Sequence, residues 1–229
     1  METPDYHREL IFDTNDRLSA VRMISFFPDD DPRESIIKFY YDTGERIDSS
    51  SAPGHNIKYT YEAELLTRSD EYIDELHAHY HTFEYDARKR ISQTFSWQYF
   101  ADQSEWVPRQ KSTYSYDSND NLIENTLYYY NSGTANFELL TRFLYSDYDN
   151  AESFDRHFSI APFNPMFKIR RNNPGKLEVQ NRHGNTTAVE VYSYAYHNSG
   201  LPERCTTSVT FPFNGETGSY ETKFIYEVR

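Results

Sequence analysis

The chain has 229 residues, with 36 acidic against 23 basic side chains and a formal net charge of −13. That balance opposes nucleic-acid binding, which depends on Lys and Arg neutralising phosphates. No segment approaches the roughly 20 apolar residues of a transmembrane helix, and a mean hydropathy of −0.86 leaves little for the lipid-facing band of a membrane barrel. The lone cysteine, Cys205, excludes an internal disulfide framework, lacks metal-site spacing and reads as a small residue in a strand. Tyr (21) and Phe (16) dominate the apolar residues, as strands on a pleated surface favour. No linker divides the chain, so residues 1–229 are expected to form a single all-β repeat domain with a sizeable core.

The organising feature is a nine-residue phrase. In chain order it reads LIFDTNDRL (Leu10 to Leu18), FYYDTGERI (Phe39 to Ile47), FEYDARKRI (Phe83 to Ile91) and YSYDSNDNL (Tyr114 to Leu122). Each copy predicts a strand, a tight turn and a returning strand. Alternation puts Phe39 with Tyr41, Phe83 with Tyr85, and Tyr114 with Tyr116 on one face. Asp13, Asp42, Asp86 and Asp117 can accept backbone N–H groups two residues on and so start the turn. Asn15, Gly44 and Asn119 follow where positive φ is expected. Arg17, Arg46 and Arg90 stand four residues after the Asp, in reach of it. Leu18, Ile47, Ile91 and Leu122 return an apolar side chain to the buried face.

Weaker copies fill the gaps. YTYEAELLT (Tyr59 to Thr67) has Glu62 for the Asp, FLYSDYDNA (Phe143 to Ala151) has Ser146 there, and YSYAYHNSGL (Tyr192 to Leu201) reads as a lengthened turn. NRHGNT (Asn181 to Thr186) is a further turn, and KFIYEVR (Lys223 to Arg229) reads as a final strand. The intervals between Asp13, Asp42, Glu62, Asp86 and Asp117 are 29, 20, 24 and 31 residues, which favours hairpins of unequal length over a strict solenoid.

Between the phrases, in chain order, lie the candidates for chemistry. Asp29-Asp30-Asp31, flanked by Pro28 and Pro32, is a solvated loop tip or a calcium ligand set. Ser69 to Tyr80 (SDEYIDELHAHY) carries a competing helix signal, but it runs straight into FEYD and reads as strand. On a strand, His77, His79 and His81 project from one face, a zinc geometry if a neighbouring strand supplies another ligand; otherwise they form a polar strand face. Trp97 and Trp106 flank a hairpin loop at Tyr99 to Glu105 and form a candidate glycan or peptide site, if their rings are not core. Asp117 to Asn121 begins like a calcium loop, but Leu122 stands where Gly is needed and Tyr128 where Glu is needed, which removes the EF-hand reading. Tyr128-Tyr129-Tyr130 must place a ring on each sheet face. There is no nucleophile elbow, no Cys/His arrangement and no phosphate-cradling Gly-rich loop. Paired carboxylates for glycoside hydrolysis are too numerous among 36 acids for the sequence to choose.

The Y-x-Y-D-x-x-G-R-L pattern, nearest in YYDTGERI, resembles the YD repeat of Rhs-type and teneurin-type proteins, where it builds large β-shells. In size and looseness the chain is more similar to uncharacterised secreted lipoproteins of Bacteroidetes with degenerate YD-like hairpins. The resemblance implies an all-β fold and an extracytoplasmic home, in the periplasm or on the outer-membrane surface, lipid-anchored in the native precursor. It carries no catalytic residue. METPDYHREL shows no signal peptide and reads as an initiator Met ahead of a mature domain, so the cytoplasm is the alternative.

The expectation is an antiparallel meander of about a dozen strands in successive hairpins. A curved barrel-like or half-barrel shell is favoured over a sandwich, because sequential repeats favour neighbouring hairpins over Greek-key crossings. The expected function is a non-catalytic secreted or surface-anchored binding or scaffold protein, with a glycan or protein partner at the cell surface and no cofactor. The alternatives are a carbohydrate-binding module using exposed aromatics and a metal-dependent enzyme centred on His77, His79 and His81, with zinc or calcium as the metal.

Overall fold

A computed structural model of the chain describes residues 5–15, 17–26, 33–100, 104–153 and 170–226. Its strands are β1 (Asp5–Phe12), β2 (Leu18–Phe26), β3 (Arg33–Tyr41), β4 (Ile47–Ala52), β5 (His55–Glu62), β6 (Leu65–Ile73), β7 (Leu76–Tyr85) and β8 (Ile91–Phe100). They continue as β9 (Glu105–Tyr116), β10 (Leu122–Asn131), β11 (Asn136–Ser146), β12 (Lys176–Asn181), β13 (Thr186–Tyr196), β14 (Pro202–Phe211) and β15 (Glu216–Lys223). Hydrogen-bonded neighbours follow sequence order from β1 to β15. The predicted antiparallel all-β meander is what the chain builds, without Greek-key crossings. The described residues form fifteen strands rather than about a dozen.

The region with the competing helix signal is one of those ends. Asp74 and Glu75 adopt φ of 47° and 69°, a two-residue turn that folds β7 back on β6 with Ile73 opposite Leu76. The β4–β5 connection turns at Pro53-Gly54, with Gly54 at φ 71°. A Cβ there would meet the Asp74 carboxylate at 2.9 Å. The final strand ends at Lys223. Phe224 to Tyr226, expected as strand, are not.

Each full phrase closes as a three-residue hairpin loop. In FYYDTGERI, Asp42 N–H donates to Arg46 O at 2.8 Å and Glu45 N–H to Asp42 O at 3.1 Å. Asp42 Oδ1 accepts Gly44 N–H (2.8 Å) and Arg46 N–H (3.0 Å). The same two acceptances recur at Asp13, Asp86 and Asp117. The predicted ion pairs form: Arg17–Asp13 at 2.7 Å, Arg46–Asp42 at 2.7 Å and Arg90–Asp86 at 2.6 Å. Positive φ, however, falls one residue later than expected. It lies at Glu45 (64°), Lys89 (61°) and Asp120 (66°), not at Gly44 or Asn119. The loop is a type I turn followed by a left-handed residue, and that residue is the third after the Asp.

This geometry reclassifies the weaker copies. NRHGN and HNSGL make the same loop, with Asn181 and His197 in place of Asp and with Gly184 (φ 79°) and Gly200 (φ 84°) at the left-handed position. The His197 turn is therefore not lengthened. In FLYSDYDNA the acceptor is Asp149, which takes Ala151 N–H at 3.0 Å, rather than Ser146.

Contacts gather the chain into two compact units, 1–82 with 97–107, and 83–96 with 108–229. In the first, Leu18, Phe39, Ile47, Ile57, Tyr59 and Leu66 are buried; in the second, Phe83, Ile91, Tyr114, Leu122, Tyr145 and Cys205 are. These are mostly the first aromatic and the last apolar residue of each phrase. The second aromatic does something else. Its hydroxyl donates to the carbonyl of that last apolar residue in an earlier hairpin: Tyr41 to Leu18 O (2.8 Å), Tyr61 to Ile47 O (2.9 Å) and Tyr116 to Ile91 O (2.7 Å). Tyr148 and Tyr226 repeat it on Leu122 O and Pro202 O. Above these rings lie the turn arginines, Arg17 over Tyr41 at 4.7 Å, Arg46 over Tyr61 at 5.0 Å and Arg90 over Tyr116 at 4.5 Å. Asp, Arg and Tyr of the phrase thus form one fastening between successive hairpins.

Candidate functional site

Two clusters in the first unit are not explained by the phrase, and both are built on β6 and β7. Directly opposite residues share a sheet face. Ile57, Glu71 and His79 are opposite one another, as are Tyr59, Ser69 and His81. This is the buried face, since Ile57, Tyr59 and Ser69 are all buried. Lys58, Asp70 and Tyr80 lie in register on the other face.

Strict alternation would carry His77 along with His79 and His81. Instead the register shifts between Glu71 and Tyr72: Glu71 faces His79, Tyr72 faces His77, and Ala78 is the extra residue of a bulge. His77 is thereby moved to the outward face. It stacks on Tyr72 (centroids 4.8 Å, interplanar angle 19°) and places Nε2 2.8 Å from Asp70. The expected three-histidine ligand stripe is not assembled.

On the buried face the histidines converge on a carboxylate. His55 Nε2 lies 2.5 Å, His79 Nδ1 3.3 Å and His81 Nε2 3.8 Å from Glu71. By distance His55 is the tight partner and His81 a longer ion-pair contact. Hydrogen bonding to His81, then to His55, with the charges of His79 and His55, holds the Glu71 carboxyl down to about 2 against burial, which pushes it up. Among the described residues, no group of three or more His, Cys, Asp or Glu has a metal-holding arrangement. The acidic triplet Asp29 to Asp31 lies outside the described residues, and Asp117 spends its Oδ1 on its own turn.

The outward face carries the aromatics. Trp97 on β8 stacks on Tyr80 (5.6 Å, 10°). Trp106 on β9 meets His77 at 4.6 Å and 63°, Tyr80 at 4.7 Å and 67°, and Tyr99 at 5.3 Å and 51°. Arg68 lies 4.0 Å over the Tyr80 ring and grips Asp70 through Nε (2.9 and 3.0 Å) and a second nitrogen (2.6 Å). Trp97 and Trp106, singled out in the sequence, do come together, bridged by Tyr80. Both are half-buried, so neither is closed into the core. Arg68, Asp70 and Tyr72 join them through strand register, which no local sequence signal announces. His55 and Glu71 were equally hidden.

No family model matches the chain, and no curated protein matches it in sequence. Solved structures do share the fold. A porin-like protein from Bacteroides uniformis ATCC 8492 superposes with a TM-score of 0.67 at 12% identity, over 96% of this chain and 90% of that one. A porin-like protein from Bacteroides vulgatus ATCC 8482 gives 0.53 at 13% identity, over 90% of this chain and 98% of that one. At such identities the likeness defines a fold, an all-β meander, and nothing finer. No helix is long and apolar enough to cross a membrane among the described residues.

Proposed function

We propose that the chain is a non-catalytic binding or scaffold protein of the bacterial cell envelope, and that it makes contact through the Trp97–Trp106 face. One observation carries this reading. The repeated Asp, Arg and Tyr side chains are committed to fastening hairpins, and the Glu71 carboxylate is enclosed by histidines, whereas the outward aromatics have no such duty. The extracytoplasmic setting, with a lipid anchor in the native precursor, rests on the YD-like hairpins; the Bacteroides porin-like proteins of the same fold support the location.

The test compares labelled full chain with its Trp97→Ala/Trp106→Ala variant on Bacteroides envelope fractions: capsule, peptidoglycan and outer-membrane vesicles. Retention of the wild type and loss of the variant is expected. Equal retention, or turnover of an envelope component by the wild type, would overturn the reading. Fractionation of cells expressing the native gene tests the location, which recovery in the cytosol would exclude.

A further inference from the structure

The chemistry of the outward face narrows its ligand. None of the rings touching Trp106 lies flat on it, since all three meet it at 51° to 67°, and Tyr99 at its rim is 36% exposed. Beside the indole stand Asp70 and Arg68, joined in a two-nitrogen grip, and the His77 ring whose Nε2 is 2.8 Å from Asp70. Asp70 accepts from Arg68 through both oxygens, and an ionised carboxylate offers about four lone-pair sites, so Oδ2 retains one for a ligand hydroxyl. The site therefore pairs an apolar platform with a carboxylate acceptor and a guanidinium donor.

We propose that this face is a subsite for a neutral pyranose of a glycan, with the sugar's C–H face on Trp106 and its vicinal hydroxyls on Asp70 and Arg68. The inference rests on the binding reading above and names its ligand. A pyranose has what the site lacks, an apolar C–H face beside paired hydroxyls that both donate and accept. A lipid chain would have to desolvate the Arg68–Asp70 pair without replacing its hydrogen bonds, a costly exchange. A polyanion would meet one Arg and one Lys, Lys58, against a chain of net charge −13, too little cation for phosphate recognition.

The protein supplies its own probe, because Trp97 and Trp106 are its only tryptophans. Intrinsic fluorescence of the full chain is titrated with neutral gluco-, galacto-, manno- and xylo-oligosaccharides up to about 10 mM, the range of weak single-site recognition. Parallel arms use a set of short synthetic peptides and phosphatidylcholine/phosphatidylglycerol vesicles. At least one oligosaccharide should give a saturable shift, weakened about tenfold or more by Asp70→Asn, roughly the worth of one hydrogen bond to a charged group. Trp106→Phe guards against misfolding: it should melt near the wild type and bind more weakly. Absence of any sugar response, or a response indifferent to both Asp70→Asn and Trp106→Phe, overturns the proposal. A peptide or vesicle response that needs Trp106, without a sugar response, overturns the sugar assignment but leaves the binding face standing. Silence in all arms, together with equal retention on envelope fractions, removes both.

Discussion

The two ends of the hairpins in the first unit follow different rules. At the phrase end, Asp13 and Asp42 make one loop, one ion pair and one tyrosine fastening, copy after copy. At the remote end the described connections differ: Pro53-Gly54 turns with positive φ at Gly54 alone, Asp74-Glu75 with positive φ at both residues, and the aromatics Tyr80, Trp97 and Trp106 gather there. Repetition marks what every hairpin needs, and individuality marks what only this protein needs. The difference separates scaffold from site without any homologous sequence.

The largest expected effect tests the scaffold side. Leu18→Ala, at a residue 1% exposed, should lose about 3–5 kcal/mol in urea unfolding, as a buried leucine with little room to collapse. Trp97→Ala should lose clearly less, because its ring is half-buried. Equal losses would make the aromatic face part of the core and dissolve the distinction.

Next comes Glu71, which belongs to neither end's pattern. Its carboxyl is held down to about 2 in the folded chain, so its contribution is fully present above its unfolded value, near 4.3. That contribution fades as pH falls from there toward 2. Glu71→Gln should cost on the order of 1–2 kcal/mol at pH 5–6 and flatten this acid limb. Unfolding curves recorded from pH 2.5 to pH 7 check the slope. An unchanged limb would mean the histidines do not hold the carboxylate.

Smaller losses sharpen the account of the phrase. Tyr41→Phe deletes only the hydroxyl that reaches Leu18 O, and Asp42→Ala deletes the turn acceptor. Each should cost about 1 kcal/mol, measured by thermal melts against wild type. The smallest effect has the opposite sign. Glu45 sits at φ 64°, where L residues are strained and Gly is not, so Glu45→Gly should gain up to about 1 kcal/mol. A loss there would show that the Glu45 side chain contributes more than its backbone strain costs.

Much of the fold was legible because the phrase states it locally. Asp, three turn residues and an apolar return specify a hairpin within nine positions, and sequential hairpins leave little topological choice. The left-handed residue was misplaced by one, because Gly44 in the best copy sits beside the special position rather than on it. Gly184 and Gly200 in the poorer copies mark it correctly. Of the site, Trp97 and Trp106 were visible as rare residues near a loop. The histidine stripe was misread because alternation assumes an unbroken register, and Ala78 breaks it with nothing in its own side chain to warn of a bulge. Glu71 and His55 were invisible for a related reason: they meet across strands, 16 positions apart, one ordinary acid and one ordinary histidine among many.

The tyrosine fastening bears on how such a chain changes length over evolutionary time. Five tyrosines carry a hydroxyl that secures one hairpin to the carbonyl of an earlier one, at separations of 14 to 26 residues. A duplicated hairpin of this kind arrives with its own attachment and leaves a fresh acceptor behind it, so its insertion or deletion requires little matching change elsewhere. In an array where coupling runs mainly between neighbours, a damaged copy weakens its own joint first. That tolerance is consistent with copies such as the one at His197, which has lost the Asp and the Arg yet still closes the same loop.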